Sequence, residues 1–109
     1  MDEYINALLA FEEASTQGDQ KTAKKFYKLM DSCFRKLRDA GKLSGLTKFL
    51  DHENVRVRLW VSTHLLVFNE ELAKQSLQKL ADGQSSFVGF DAKMTLQEWN
   101  KGNLAYLVE

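Results

Sequence analysis

The sequence predicts an all-α protein, and three observations carry that expectation. No proline occurs in 109 residues, where average usage of roughly 5% would supply several. Proline breaks helix interiors, so its absence leaves long helices unobstructed. The chain is also rich in Lys, Leu, Ala, Glu and Gln, all good helix formers apart from any packing. Finally, apolar residues recur three and four apart in segment after segment, which is helical spacing rather than strand alternation. At this length a single domain over 1–109 is expected, with enough apolar residues (44%) for a core.

The first helix is expected over Asp2 to about Thr16, with Tyr4, Ile5, Leu8, Leu9 and Phe11 on its apolar side. Asp2 and Glu3 suit the positive end of its dipole, and Gln17-Gly18 ends it. Asp19 caps a longer second helix to about Ala40, stopped by Gly41. Its inward face is Ala23, Phe26, Met30, Cys33, Phe34 and Leu37. A short third helix covers Leu43 to Asp51, turning Leu46, Phe49 and Leu50 inward. Asn54 then caps a fourth helix, Val55 to about Phe68, which is apolar nearly all round and should be central.

Glu70 to Ala81 reads as a fifth helix with Leu72, Ala73, Ser76, Leu77 and Leu80 inward. Asp82 to Phe90 (DGQSSFVGF) contains two glycines and two serines and is expected to be a loop. Its Phe87, Val88 and Phe90 should fold back onto the core. Asp91 is expected to cap a sixth helix, Ala92 to about Lys101, with Ala92, Leu96 and Trp99 on one side and Gly102 as its stop. The apolar tail Leu104 to Val108 should dock.

Charge narrows the function classes. Fifteen basic residues balance fifteen acidic ones, so the whole-molecule field favours neither a nucleic-acid mimic nor a general nucleic-acid binder. The only cysteine, Cys33, cannot form an internal disulfide, which fits a reducing compartment. The acidic start Met1-Asp2-Glu3-Tyr4 is unlike a signal peptide, and no apolar run, Leu65 to Phe68 included, is long enough to span a bilayer. A cytoplasmic protein without a membrane partner is expected.

Two motifs carry a resemblance. From Leu46 to Trp60 the chain reads as a short helix, a tight Asp/Asn turn and a Val-x-Val-Arg helix start, which resembles a HEAT repeat unit. VRLWVSTHLL (Val57 to Leu66) followed by GFDAKMTLQEWNKGNL (Gly89 to Leu104) is similar to a family of small bacterial HEAT-like domains of unknown function. The resemblance covers about Leu43 to Leu104, and the first two helices share only helical character. It implies a right-handed HEAT/armadillo-like stack of about six helices, in which each hairpin buries its apolar faces against a neighbour. It implies no activity and no catalytic residues.

Candidate sites are few. The sequence contains no P-loop, dinucleotide fingerprint or metal-binding Cys/His cluster, so no metal and no cofactor is expected. His52 falls on a turn beside Asp51 and Glu53, where solvation is expected, and His64 falls one turn after Trp60, as a core histidine. Cys33 lies on an apolar stripe, where a thiol is inert, so a Cys33–His64 nucleophile pair is disfavoured.

Two surfaces stand out. Between Gln20 and Lys42 there are eight basic residues against Asp31 and Asp39; Lys21, Lys24, Lys28, Arg35 and Lys42 form one outward stripe. The simple interpretation is a solvated face with weak Asp31–Arg35 and Arg35–Asp39 pairs, and the functional one is an electropositive edge. Arg56, Trp60, Thr63 and Val67 recur at spacings of 4, 3 and 4, as an exposed groove with an Arg-Trp anchor or as core. The function expected is a non-enzymatic protein-interaction module, in its most specific form an antidote that neutralises a partner toxin. The alternative is a nucleic-acid-associated helical repeat using the basic second helix.

Overall fold

The computed structural model describes residues 2–83 and 87–109, and these are all-helical, with no strand among the described residues. Five α-helices are interleaved with two 3-10 segments: α1 (Asp2–Thr16), α2 (Gln20–Asp39), a 3-10 segment (Leu43–Asp51), α3 (Val55–Leu65), α4 (Glu70–Gly83), α5 (Phe87–Asn100) and a last 3-10 turn (Ala105–Leu107). They form two compact units, one ending at Leu46 and the other beginning at Thr47.

The first unit is a helical hairpin. Asp19 caps α2 by accepting from the Thr22 N–H at 3.2 Å, which holds its exposed carboxyl below the usual range. Gly18 turns the chain at φ +74°, a left-handed conformation that side chains resist. Tyr4, Ala7, Leu8 and Ala14 of α1 and Ala23, Met30, Cys33 and Phe34 of α2 are buried, and the Phe11 and Tyr27 rings pack at 5.7 Å. The α2 end is closed by two backbone bonds, Gly41 N–H to Arg38 O and Lys42 N–H to Leu37 O, with Gly41 at φ +69°.

The second unit is organised around α3. Asn54 caps it through the Arg56 N–H at 2.8 Å, and the Asn54 N–H in turn donates to His52 Nδ1 at 3.0 Å. From Val61 to Leu66 every residue is buried, as are Val57 and Leu59. A helix covered on so many sides needs several neighbours, and both α4 and α5 pack on it. The Ser62 hydroxyl donates to Arg58 O at 2.7 Å and lies 2.6 Å from the Ser76 hydroxyl of α4. A hydroxyl has one proton to give, so Ser76 is the donor in that second bond. At the far end of the α4–α5 hairpin, Trp99 Nε1–H donates to Glu70 Oε1 at 3.2 Å. Leu107 is fully buried, so the tail docks as expected.

Three expectations are corrected. The segment Leu43–Asp51 is 3-10 rather than α-helical; with three residues per turn, Leu43, Leu46 and Phe49 fall on one edge, and the first two are buried. The expected loop Asp82–Phe90 is helix at both ends, since α4 continues to Gly83 and α5 starts at Phe87; its middle, residues 84–86, lies outside the described residues. Asp91 is therefore inside α5 and caps nothing. Of the three residues expected to fold inward there, only Val88 does; Phe87 and Phe90 are exposed.

His64 gives the core a pH dependence. It is buried on α3 with its ring 5.8 Å from that of Trp60, and burial pushes its pKa down to about 3. The unfolded chain protonates this imidazole near pH 6.5 and the folded chain resists doing so. Its contribution to stability is therefore present above pH 6.5 and is lost as the pH falls from there towards 3. Denaturant melts of the native chain and of His64→Gln should diverge in pH slope. His64 alone should cost the native chain about 2 kcal/mol between pH 7 and pH 5, a loss absent from the variant.

Candidate functional site

The surface of the second unit is set by the way α5 meets α3. Helical periodicity turns Val88, Gly89 and Ala92 inward, and the residues three and four apart on the other side then face out. These are Phe87, Phe90 and Met94, which are 79%, 61% and 36% exposed. At 100° per residue they fall within about 60° of one another, so they form a single row along α5. Scattered exposed apolar residues are ordinary, but two phenylalanines and a methionine in register form a patch of the kind that marks interaction sites.

Beside that row, Asp91 Oδ2 accepts from Arg56 Nη1 at 3.1 Å. The pair ties the first turn of α3 to α5, and both side chains remain partly exposed. Arg56 is thus fixed as a charged border to the apolar row. Trp60, one turn further along α3, is half-buried with its ring against His64. Thr63 is only 6% exposed, and its hydroxyl donates to Leu59 O at 2.9 Å. The row expected from Arg56 through Trp60 and Thr63 to Val67 is therefore not continuously exposed. Arg56, Trp60 and Val67 are accessible in part, and Thr63 is packing.

The other sequence-derived surface is on α2, in the first unit. Lys21, Lys24, Lys25 and Lys28 are all exposed on its first half. Arg35 instead holds Asp31 at 2.9 Å and is half-buried, while Asp39 takes Arg38 at 3.0 Å. Lys42 lies beyond the helix end. The stripe is thus a compact lysine cluster followed by locally neutralised charge. Cys33, on the inner face of α2, is buried; burial pushes its thiol up, and Glu3 adds to the push against the opposing Lys36. A raised thiol is the opposite of what an activated nucleophile needs.

A further feature has no counterpart in the sequence reading. A cleft of about 560 Å³ lies between the 3-10 segment, α3 and α4, and its lining includes Leu50, Asp51, Arg58, Leu72, Lys79 and Leu80. Arg58 Nε is buried in the structure and has no hydrogen-bond partner among the described residues. In the sequence Arg58 was visible only as the arginine of the Val-x-Val-Arg helix start and of VRLWVSTHLL, and nothing local marks it as unsatisfied. The α5 row was more accessible: Phe87, Phe90 and Met94 are already spaced three and four apart, but the glycines and serines around them suggested a loop. Among the described residues no group of three or more His, Cys, Asp or Glu side chains is placed to hold a metal ion, and no helix is long and apolar enough to cross a membrane.

No protein-family model, no curated protein and no solved structure matches this chain.

Both side chains of the Arg56–Asp91 pair are partly exposed, so its energy should be small. A double-mutant cycle with Arg56→Ala and Asp91→Ala should give a coupling of about 0.5 kcal/mol, weakening in salt. A coupling above about 2 kcal/mol would mean that the pair is desolvated and structural.

Proposed function

We propose that this chain is a protein-interaction module that acts by binding rather than by catalysis, with α5 as its principal contact helix. The observation that carries this reading is the exposed row Phe87, Phe90 and Met94, bordered by the Arg56–Asp91 pair. Aromatic and methionine side chains are enriched at interfaces, and arginine with them. Large apolar side chains held on a helix rather than on a loop lose little further conformational freedom on docking. The partner in this reading is a protein with a complementary apolar surface, and Arg56, with Trp60 behind it, belongs to the border of the contact. In its most specific form the partner is a toxin and the chain is the cytoplasmic antidote that covers it.

The fold proposal that goes with this reading is a HEAT-like pair of hairpins, the 3-10 segment with α3 and α4 with α5. It rests on the VRLWVSTHLL and MTLQEWNKGNL motifs and on the helix order of the second unit. α1 and α2 precede this pair as less typical helices.

A second reading has its own observation, the four exposed lysines on α2. Lys24 and Lys28 are like charges one turn apart, an arrangement that disfavours the helix slightly, and a nucleic-acid backbone would relieve it. The α5 row is the stronger indication, because solvated lysines need no partner and exposed phenylalanines incur a hydration cost.

Capture of partners from the native host, followed by affinity measurement on the identified protein, tests the first reading. Phe87→Ser/Phe90→Ser should weaken binding at least about thirtyfold if either ring is a hot spot, with thermal unfolding still cooperative. Undiminished binding by that variant sinks the α5 assignment. The antidote form requires in addition that the captured protein arrests growth when expressed alone and that co-expression of this chain restores it. For the nucleic-acid reading, binding to RNA or DNA at low salt should fall steeply in log salt, and Lys24→Ala/Lys28→Ala should flatten the slope by about 2. No binding at low salt eliminates it.

A further inference from the structure

Phe87, Phe90 and Met94 begin a longer register. Gln97 and Lys101 continue it with the same alternation of three and four residues, and all five are exposed. Lys101 follows the last residue of α5, but its N–H still donates to Gln97 O at 3.1 Å, so the stripe is unbroken. At 100° and 1.5 Å per residue the five lie within about 80° of one another and run for about 21 Å. Val88, Gly89, Ala92, Leu96 and Trp99, all buried or half-buried, occupy the opposite side. α5 thus has two seams, and its own fold fills one of them.

Spacing and charge decide what fits the other. Side chains three and four apart recur about every 5 Å along a helix, and a second helix with that repeat matches them over several turns. One face of a strand repeats about every 7 Å and falls out of step. On one flank of the seam, the carboxylates of Asp91 and Glu98 already accept from Arg56 at 3.1 Å and from the Asn103 side-chain amide at 2.7 Å. On the other flank is Lys93, and Lys101 ends the seam. Both lysines are exposed, and neither is in an ion pair among the described residues. The charges left for a partner are therefore positive.

We propose that α5 docks an amphipathic α-helix of its partner, about four turns long, with apolar residues on the seam and acidic residues facing Lys93 and Lys101. This rests on the α5 reading above and specifies what the partner presents there. Phe87, Phe90 and Met94 supply the apolar contact. The lysines select the partner's charge and fix its register more than they add affinity. A second copy of this chain is the poorer occupant, because its α5 presents the same two lysines.

The probes are fluorescently labelled peptides of about three heptads with leucine at the alternating three- and four-residue positions. One carries glutamate on both flanks and one carries lysine, so that like charges keep each from pairing with itself. A third is the glutamate peptide with a central proline, which breaks the helix. Anisotropy titrations with the full chain at low ionic strength should show saturable binding of the glutamate peptide. The lysine peptide should bind about tenfold more weakly, and the proline peptide should not bind measurably. Lys93→Glu/Lys101→Glu should reverse the order of the first two, and Gln97→Leu should tighten both several-fold by adding an apolar residue to the seam. These positions are exposed, so unfolding of the variants should stay cooperative. The proposal is overturned if the glutamate peptide does not bind, if either other peptide binds equally well, or if the variants leave the affinities unchanged. A captured protein that needs Phe87 and Phe90, alongside a glutamate peptide that does not bind, rejects the acidic helix and keeps the α5 reading. A captured protein indifferent to Phe87→Ser/Phe90→Ser rejects both.

Discussion

The constraint on which the second unit depends is the burial of α3. Its residues from Val61 to Leu66 are all shielded from water, including Ser62, Thr63 and His64. Apolar burial on this scale is the main favourable term in folding, and it cannot be completed by one neighbour. The polar members are accommodated locally. Ser62 and Thr63 return their hydroxyl protons to carbonyls one turn back, and His64 remains neutral because burial makes its charged form too costly. The helix thus presents an almost uniformly buried surface that other elements must cover.

Covering α3 fixes what α5 shows to solvent. Val88, Gly89 and Ala92 are small enough to let α5 approach closely, and once that side faces inward the helical repeat sends Phe87, Phe90 and Met94 outward. The Arg56–Asp91 ion pair and the Trp99–Glu70 hydrogen bond then add polar ties between the helices. Each is partly exposed and worth little by itself; they define orientation more than they supply stability. An apolar row on an outer helix face is therefore a by-product of where the core needs its small residues, and an interaction surface is the use we assign to it.

Much of this was legible in the sequence, because the strongest signals are local. Asp19 and Asn54 cap helices as expected, and Gly41 and Gly102 stop them at positive φ. The all-round apolar character of the fourth predicted helix correctly marked it as buried. The failures have a common origin. In DGQSSFVGF the glycines and serines outweighed the three- and four-residue spacing of Phe87, Phe90 and Met94, and Asp91 imitated a cap while serving as the acceptor for Arg56. Apolar residues were also assumed to face inward, a rule that holds in one direction only. Thr63 illustrates the converse, a polar residue that the core absorbs by bonding its own helix backbone. The cleft at Arg58 depends on side chains from three elements meeting, and no local pattern encodes that.

The central claim is that the core-facing side of α5 forces its aromatic row into solvent, where a partner takes it. Oxidative footprinting of the chain, alone and with its captured partner, tests both halves, with methionine reactivity followed residue by residue. Met94 should oxidise readily in the isolated chain and become protected in the complex, while Met30, fully buried in the first unit, should remain unreactive in both. If Met94 in the isolated chain is as protected as Met30, or if it stays fully reactive in the complex, the account of α5 is wrong.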